Sequence, residues 1–282
     1  MKNVPNIPEI NKDPGDLIRR IKYFALDLDG TIYLGKEWID GAVDFLHRVK
    51  ESGRKYYFLT NNSSRDPETV RDKLISMGLE TDLSEVITSG QAAVLYLKRN
   101  HPGRKVFLLG NPLLRRQFES EGICLTGVNE DADVAVGGFD TTLDYVKMKH
   151  FCDLVRSGAP YIMTHPDINC PTEDGFMPDA GAIMAFVKAS AGREPDRIIG
   201  KPYSDMSEYL FTRIERDTGS RPEKKEVAVI GDRLYTDIAS AKNYGMTSVL
   251  VLSGETSHED ITSPDNKWIP DLIFESVASI RF

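Results

Sequence analysis

Two aspartates, Asp27 and Asp29, end an apolar run near the start of the chain, within the stretch YFALDLDGTIYLG at 23–35. An aspartate carboxylate can attack phosphorus and divide a displacement into two easier steps. A second carboxylate close by can protonate the leaving oxygen and later take a proton from water. We therefore interpret Asp27 as a nucleophile and Asp29 as a general acid/base that act on one phosphorus atom.

Two further aspartates, Asp232 and Asp237, follow a second apolar run late in the chain. Carboxylates brought together at one edge of a sheet repel one another strongly unless a cation lies among them. Oxygen ligands without a histidine or cysteine cluster favour Mg²⁺ over Zn²⁺. The sequence thus predicts a magnesium site made by Asp27, Asp29, Asp232 and Asp237.

Several other residues offer the donors that a phosphate group requires. The Thr60 hydroxyl and the backbone N–H groups around Asn61 can hold phosphate oxygens, with Asn62 next in the same loop. Lys201 can neutralise the charge that spreads over these oxygens in the transition state. Gly30 has no side chain and lets the backbone approach a ligand closely.

Short β-rich runs alternate with amphipathic helical stretches from residue 22 onward, which is typical of an α/β fold with parallel sheets. Ligands bind at the carboxyl ends of such strands, where most of these candidate residues lie. The predicted strands are 22–29, 55–61, 105–111, 133–138, 161–165, 227–232 and 248–254. The predicted helices are 16–21, 41–53, 67–78, 91–100, 142–158, 180–192 and 235–245.

The candidate residues also indicate how the chain is divided into domains. Two of the polar strand ends precede residue 65 and the others follow residue 195, so the intervening stretch predicts an inserted domain. We expect a core domain formed by residues 1–87 and 191–282, and an α/β cap domain formed by residues 88–190. Closure of the cap over the site is expected to expel water from it.

The composition excludes several classes of protein. The 282 residues carry a formal net charge of −8, which argues against binding to nucleic acid or to an anionic membrane, although a local basic pocket is compatible with it. The chain has no apolar run of about 18 residues that would span a membrane, and its polar, proline-containing start lacks the apolar run of a signal peptide, so we expect neither. Three widely spaced cysteines without a Cys-x-x-Cys pair predict free thiols. We expect a cytoplasmic protein.

Taken together and in this order, the motifs resemble those of the haloacid dehalogenase (HAD) superfamily phosphatases. The four motifs are Asp27-Leu28-Asp29-Gly30-Thr31, Thr60, Gly200-Lys201-Pro202, and Gly231-Asp232 with Asp237. Three further stretches resemble the NagD or para-nitrophenylphosphatase branch (subfamily IIA): LTNNSS at 59–64, THPD at 164–167 and PDAGA at 178–182. The resemblance implies a Rossmann-like core of parallel strands with an inserted α/β cap.

The resemblance also implies a role for each motif residue. Asp27 would be the nucleophile and a metal ligand, and Asp29 the acid/base whose backbone carbonyl also binds the metal. Asp232 would ligate the metal, and Asp237 would hold its water shell. The phosphoryl group would be bound by Thr60, Asn61 and Lys201.

This chain departs from the pattern of that branch at His165 and Asp179, where Thr-Asn-Pro-Asp and Pro-Gly-Ala-Gly are common. Both departures lie near the cap, so they bear on the choice of substrate. His165 and Asp167 are candidates to contact the substrate, and His165 is equally a candidate for a local hydrogen bond in a turn. Arg233, next to Asp232, is a further candidate for binding substrate.

The leading hypothesis is a Mg²⁺-dependent phosphomonoester hydrolase that acts on a small phosphorylated metabolite through an aspartyl-phosphate. A phosphotransferase or phosphomutase would use the same chemistry with another acceptor. A phosphometabolite-binding protein without turnover is a third possibility. The substrate could be a nucleoside monophosphate, a sugar phosphate or another small phosphoester, and a homodimer formed through the cap is compatible with this branch.

Overall fold

The computed structural model describes residues 15–172 and 175–281, which form two compact units. The first unit comprises the described residues of Met1–Leu59, Leu74–Val86 and Leu210–Phe282, and the second comprises those of Thr60–Lys73 and Ile87–Tyr209. No helix among the described residues is both long and apolar enough to cross a membrane.

The described strands form two larger parallel sheets and two small antiparallel hairpins. The strands are β1 Tyr23–Leu26, β2 Tyr33–Leu34, β3 Glu37–Trp38, β4 Lys55–Thr60, β5 Val86–Thr88, β6 Lys105–Leu109, β7 Cys124–Leu125, β8 Val134–Gly137, β9 Tyr161–Met163, β10 Asn169–Thr172, β11 Gly175–Pro178, β12 Arg197–Ile198, β13 Val227–Gly231, β14 Thr247–Val251 and β15 Leu272–Phe274. The six-stranded sheet has the order β15-β14-β13-β1-β4-β5, and the five-stranded sheet has the order β12-β9-β8-β6-β7.

Ten α-helices of the described residues connect these strands. They are α1 Gly15–Arg19, α2 Ala42–Glu51, α3 Pro67–Ser76, α4 Ser89–Asn100, α5 Pro112–Ser120, α6 Tyr145–Arg156, α7 Ala180–Ala191, α8 Ser204–Thr218, α9 Ala239–Tyr244 and α10 His258–Thr262. A π-helical turn, Leu234–Ile238, precedes α9.

In the first unit, β1 is the strand that positions the opening pair of aspartates. β1 pairs in parallel with β13 on one side and with β4 on the other. Three of its four residues are buried, as expected for a central parallel strand that is covered on both faces. The ring of Phe24 packs edge-on against Phe45 of α2 at a centroid distance of 6.0 Å. β1 and β13 therefore present Asp27 and Asp232 at the same edge of the sheet.

The second unit is built around its own parallel sheet, in which β8 lies between β6 and β9. The helices α6 and α7 pack against this sheet through a cluster of buried apolar residues that includes Phe151, Tyr161 and Val187. The strand β9 ends at Met163, two residues before His165, and α7 begins directly after Asp179. His165 and Asp179, the two departures from the family pattern, are therefore positioned by the end of β9 and the start of α7.

The structure confirms the α/β class and contains all seven predicted strands and all seven predicted helices, with shifts of a few residues at the ends. Three helices and eight strands were not predicted. Six of these strands have only two or three residues, too few to show a periodic pattern. The helix predicted at 16–21 is the short α1, and Ile18 and Ile21 beside it are buried.

The predicted domain ranges, 1–87 with 191–282 and 88–190, stay a prediction. The two compact units differ from them, because residues 60–73 and residues up to Tyr209 group with the second unit. Side-chain contacts explain the grouping of 60–73. Asp66 forms an ion pair with Arg116, and the amide of Asn111 donates to the carbonyl of Ser64 at 2.8 Å.

Candidate active site

Three carboxylates of the first unit converge at the carboxyl ends of β1 and β13. Ligand oxygens of Asp27, Asp232 and Asp237 all lie within 4.8 Å of one another. Asp232 and Asp237 are buried, and Asp27 is partly exposed. Buried carboxylates at this spacing repel one another unless one of them is protonated or a cation lies among them, and a donor set made only of oxygens suits a hard divalent cation. The cluster fits the predicted metal site.

Glycines surround this cluster at the positions where a side chain would collide with it. A Cβ built on Gly231 would lie 2.2 Å from Cγ of Asp237, and one on Gly30 would lie 2.5 Å from Oδ2 of Asp232. Gly30 also has a φ of +85°, a conformation that other residues rarely adopt. Gly30 thus makes room for the Asp232 carboxylate, a contact that the sequence analysis did not anticipate.

The Asp232 carboxylate is held by donors from two loops. Its Oδ2 accepts a hydrogen bond of 2.7 Å from the backbone N–H of Glu255, and its Oδ1 lies 3.4 Å from the hydroxyl of Thr31. Burial, together with the charges of Asp27 and Asp237, raises the pKa of Asp232 to about 7. The metal-free cluster therefore resists full ionisation.

Arg233 lies beside this cluster. Its Nε is 2.9 Å from Oε2 of Glu255. Burial alone would lower the pKa of Arg233, but the carboxylate of Asp27, among other groups, raises it above its ordinary value. Arg233 therefore adds a permanent positive charge near the nucleophile.

Asp29 lies in a tight turn two residues beyond Asp27. The N–H of Gly30 donates to the carbonyl of Tyr33 at 2.8 Å, and the N–H groups of Thr31 and Ile32 donate to Leu28. This turn fixes the backbone between the two aspartates. The Asp29 carboxylate is outside the group of three that converge, so binding of the metal through its backbone carbonyl stays a prediction.

In the second unit, the Asn61 side chain is bonded to the backbone of Lys201. Asn61 Oδ1 accepts from the Lys201 N–H at 2.7 Å, and Asn61 Nδ2 donates to the Lys201 carbonyl at 3.0 Å and to Oδ1 of Asp167 at 3.3 Å. A Cβ on Gly200 would lie 2.6 Å from Asn61 Oδ1. The Asn61 amide thus positions the lysine, and Gly200 allows its close approach.

Thr60 and Asn62 shape the same loop. The Thr60 hydroxyl accepts from the N–H of Asn62 at 3.1 Å. The side-chain Oδ1 of Asn62 accepts from both the N–H and the hydroxyl of Ser64, at 2.9 and 2.7 Å. These bonds form side-chain turns, which hold the loop where it leaves β4.

The two departures from the family pattern, His165 and Asp179, contact each other. His165 Nε2 lies 2.8 Å from Oδ1 of Asp179, and its Nδ1 lies 3.0 Å from the Thr164 hydroxyl, which in turn lies 3.0 Å from the hydroxyl of Ser63. His165 is fully buried. Burial alone would lower the pKa of His165, but the carboxylates of Asp179 and Asp167 outweigh it and raise the pKa.

Asp179 has a second structural role at the start of α7. Its Oδ1 accepts the N–H of Ala180 at 2.5 Å, so the carboxylate caps the helix. The side chain of His165 is therefore used inside the protein, in the local hydrogen bonding that the sequence analysis weighed against contact with a substrate.

The structure thus groups the candidate residues into two sets. The first unit contains Asp27, Asp29, Gly30, Asp232, Arg233 and Asp237, and the second contains Thr60, Asn61, Asn62, His165, Asp167 and Lys201. The sequence analysis missed Glu255, Gly254 and Ser253, which follow β14. Ser253 donates to the carbonyl of Gly30 at 2.8 Å. In the sequence, only their position at the end of a predicted strand could have indicated a role at this site.

The prediction of free thiols is confirmed, since none of the three cysteines forms a disulfide bond.

Two stretches of the chain match known hydrolase families. Residues 24–124 match the family described as haloacid dehalogenase-like hydrolase, and residues 198–280 match one described as HAD-hydrolase-like. The chain belongs to the haloacid dehalogenase superfamily. The prediction of its NagD or para-nitrophenylphosphatase branch is confirmed, and so is the prediction of a phosphatase.

Relatives with high coverage support this assignment. The acid sugar phosphatase of Staphylococcus aureus strain MRSA252 is 35% identical over 253 residues, 90% of this chain and 93% of that protein. The 5'-nucleotidase YutF of Bacillus subtilis strain 168 is 34% identical over 263 residues, 90% of this chain and 99% of that protein. The crystal structure of the 4-nitrophenylphosphatase of Thermotoga maritima has a TM-score of 0.85 at 40% identity and covers 93% of this chain and 97% of its own.

The Asp232 environment predicts how stability depends on pH without metal. The folded protein holds a proton up to about pH 7, whereas an unfolded aspartate releases it near its ordinary pKa, so stability falls as pH rises between these values. Asp232→Asn removes the buried charge. In EDTA we expect it to raise the free energy of unfolding at about pH 8 by on the order of 2 kcal/mol, with a smaller gain at pH 5.

Urea unfolding at both pH values measures this effect. The exposed Asp265→Asn is the matched control and should leave both transitions unchanged. A loss of stability in Asp232→Asn at pH 8 in EDTA would show that the three carboxylates do not repel one another as described.

The His165–Asp179 contact predicts compensation between two substitutions. His165→Asn removes one partner of a buried pair, and we expect a loss of about 3 to 5 kcal/mol. Adding Asp179→Gly removes the stranded carboxylate, and glycine is tolerated before a helix, so the double variant should regain much of this loss. The exposed His258→Asn is the control.

The sign of the pH dependence follows from the raised pKa of His165. The stabilisation by protonated His165 is complete below the unfolded pKa of histidine and is lost as pH rises through the higher folded value. The gap in urea stability between wild type and His165→Asn should therefore shrink with rising pH. Additive losses in the double variant would mean that the two residues act separately.

Proposed function

We propose that the protein is a Mg²⁺-dependent phosphomonoesterase that hydrolyses small phosphorylated metabolites through an aspartyl-phosphate on Asp27. The observation that carries this proposal is the convergence of the carboxylates of Asp27, Asp232 and Asp237. This set would hold the Mg²⁺ together with the backbone carbonyl of Asp29. The bound ion would neutralise charge on the cluster and on the phosphate oxygens.

The proposed reaction has two displacements at phosphorus. In the first, a carboxylate oxygen of Asp27 forms a bond to phosphorus as the bond to the leaving oxygen breaks, and Asp29 gives that oxygen its proton. In the second, Asp29 takes a proton from water, the water oxygen bonds to phosphorus, and the bond to Asp27 breaks. Inorganic phosphate leaves and both aspartates return to their starting states.

The proposed roles of Thr60 and Lys201 are to bind the phosphoryl oxygens. This part of the proposal rests on their order in the motifs and on the relatives. The bonds between Asn61 and the backbone of Lys201 support a positioning role for the Asn61 side chain. Named relatives act on sugar phosphates, nucleotides and nitrophenyl phosphate, so small monophosphates of these kinds are the proposed substrates.

Substitution of the two aspartates tests the proposal. Asp27→Asn keeps the size of the side chain but removes the nucleophile, so phosphate release should be undetectable. Asp29→Asn should lower kcat for sugar and nucleoside monophosphates by roughly 10²- to 10⁴-fold, and less for 4-nitrophenyl phosphate, whose leaving group needs little protonation. EDTA should abolish activity and Mg²⁺ should restore it.

Release of phosphate from a panel of small phosphoesters measures these effects, with the exposed Asp40→Asn as control. Acid-quenched wild-type protein should carry one phosphoryl group, identified on Asp27 by mass spectrometry. A phosphoryl group that passes to a sugar in place of water would favour the phosphotransferase. A folded wild-type protein that binds the panel without turnover would contradict the proposal and favour a binding protein.

A further inference from the structure

A pocket of about 580 Å³ opens in the first unit at the amino ends of β1, β4 and β13. Six of its eleven lining residues are basic, and one, Glu226, is acidic. We define the basic pocket by these six residues, Arg19, Arg20, Lys22, Arg54, Lys55 and Lys225. The chain as a whole has a net charge of −8, so this concentration of positive charge is against the general trend of the protein.

Some of this charge is compensated by neighbouring acids. Lys22 pairs with Glu226 at 2.6 Å and Lys225 with Glu223 at 2.8 Å. Arg19 lies 3.3 Å from Asp16, in a largely exposed pair that is worth little in water.

Two further charges of the pocket, those of Arg20 and Lys55, lie on exposed side chains. Within 15–172 and 175–281, no carboxylate pairs with Arg20 or Lys55. Like charges held around one concave surface repel one another, and an anion bound among them would relieve that repulsion.

The pocket is built on a rigid part of the sheet. Tyr23 of β1 is in register with Lys55 of β4, and the N–H of Lys55 donates to the carbonyl of Lys22 at 3.0 Å. Arg54 Nε donates to the carbonyl of Ile21 at 2.8 Å, which joins the two segments. The backbone that carries the charges is therefore ordered before any ligand binds, which lowers the entropic cost of binding.

The basic pocket is separate from the acidic cluster. Asp27 follows the carboxyl end of β1, and Lys22 precedes its amino end. The four residues of β1 lie between the two, and five steps of extended chain span roughly 16 Å. A ligand in the basic pocket would not occupy the place of the phosphoester that Asp27 attacks.

From these observations we propose that the basic pocket binds a small anion with two or more phosphoryl groups. Its volume lies in the range of small-molecule sites and exceeds what one phosphate ion fills. Several cations from three separate segments of the chain favour a ligand with several charges. The negative charge of the rest of the chain disfavours a long polyanion, which would extend beyond the pocket. This proposal does not depend on the proposed phosphatase mechanism.

Tripolyphosphate and ATP are the two probes, because they separate an inorganic source of the anion from a nucleotide. Calorimetric titration in EDTA should give saturable binding of tripolyphosphate, with orthophosphate much weaker. Equal affinity for both probes would assign the ligand class to the phosphate chain alone, and tighter binding of ATP would assign it to a nucleotide. Both results support the proposal.

Arg20→Ala/Lys55→Ala should weaken the binding of tripolyphosphate by about tenfold or more. The matched control is Arg99→Ala/Lys105→Ala, which removes the same charge from two exposed residues of the second unit. Amide chemical shifts on binding should change at 19–23, 52–55 and 225–226.

Three outcomes would overturn the proposal. The first is the absence of saturable binding. The second is an equal loss in the control variant, which would indicate a nonspecific effect of net charge. The third is a set of shift changes confined to 60–64 and 200–201, which would place the anion at the phosphoryl-binding residues instead.

Discussion

Electrostatic repulsion among three aspartates is the constraint on which the first unit depends. Asp27, Asp232 and Asp237 are held within 4.8 Å of one another, two of them buried. Parallel pairing of β1 with β13 brings Asp27 and Asp232 together, and the glycines at 30 and 231 leave the space that the carboxylates of Asp232 and Asp237 occupy. A cation bound among them would relieve this repulsion, so the contacts that bring the three aspartates together suit the proposed metal site.

The second unit depends on neutral and charged hydrogen bonds instead. One asparagine, Asn61, binds both the backbone N–H and the backbone carbonyl of Lys201. The His165–Asp179 pair joins the end of β9 to the start of α7. Buried polar groups of this kind are costly when one partner is lost, so they specify a single arrangement of the loops. The residues that depart from the family pattern are therefore integrated into the packing of this unit.

The length and burial of the strands explain which of them could be predicted from the sequence. A buried parallel strand reads as a continuous apolar run, so β1, β4, β6, β8, β9, β13 and β14 could be predicted from composition alone. Strands of two or three residues, such as β12, carry no such signal, and their existence depends on a neighbour in the sheet. The three unpredicted helices were missed although one of them, α8, has fifteen residues and an amphipathic pattern.

The sequence by itself determined the α/β class, the family and the identity of the motif residues, because these depend on residue types in a fixed order along the chain. Only the tertiary structure decided what each side chain contacts. Gly30 makes room for Asp232, Asn61 positions Lys201, and His165 pairs with Asp179, which is fourteen residues away. Partners distant in sequence leave no local periodic signal, since their contact arises only when separate strands and helices pack together.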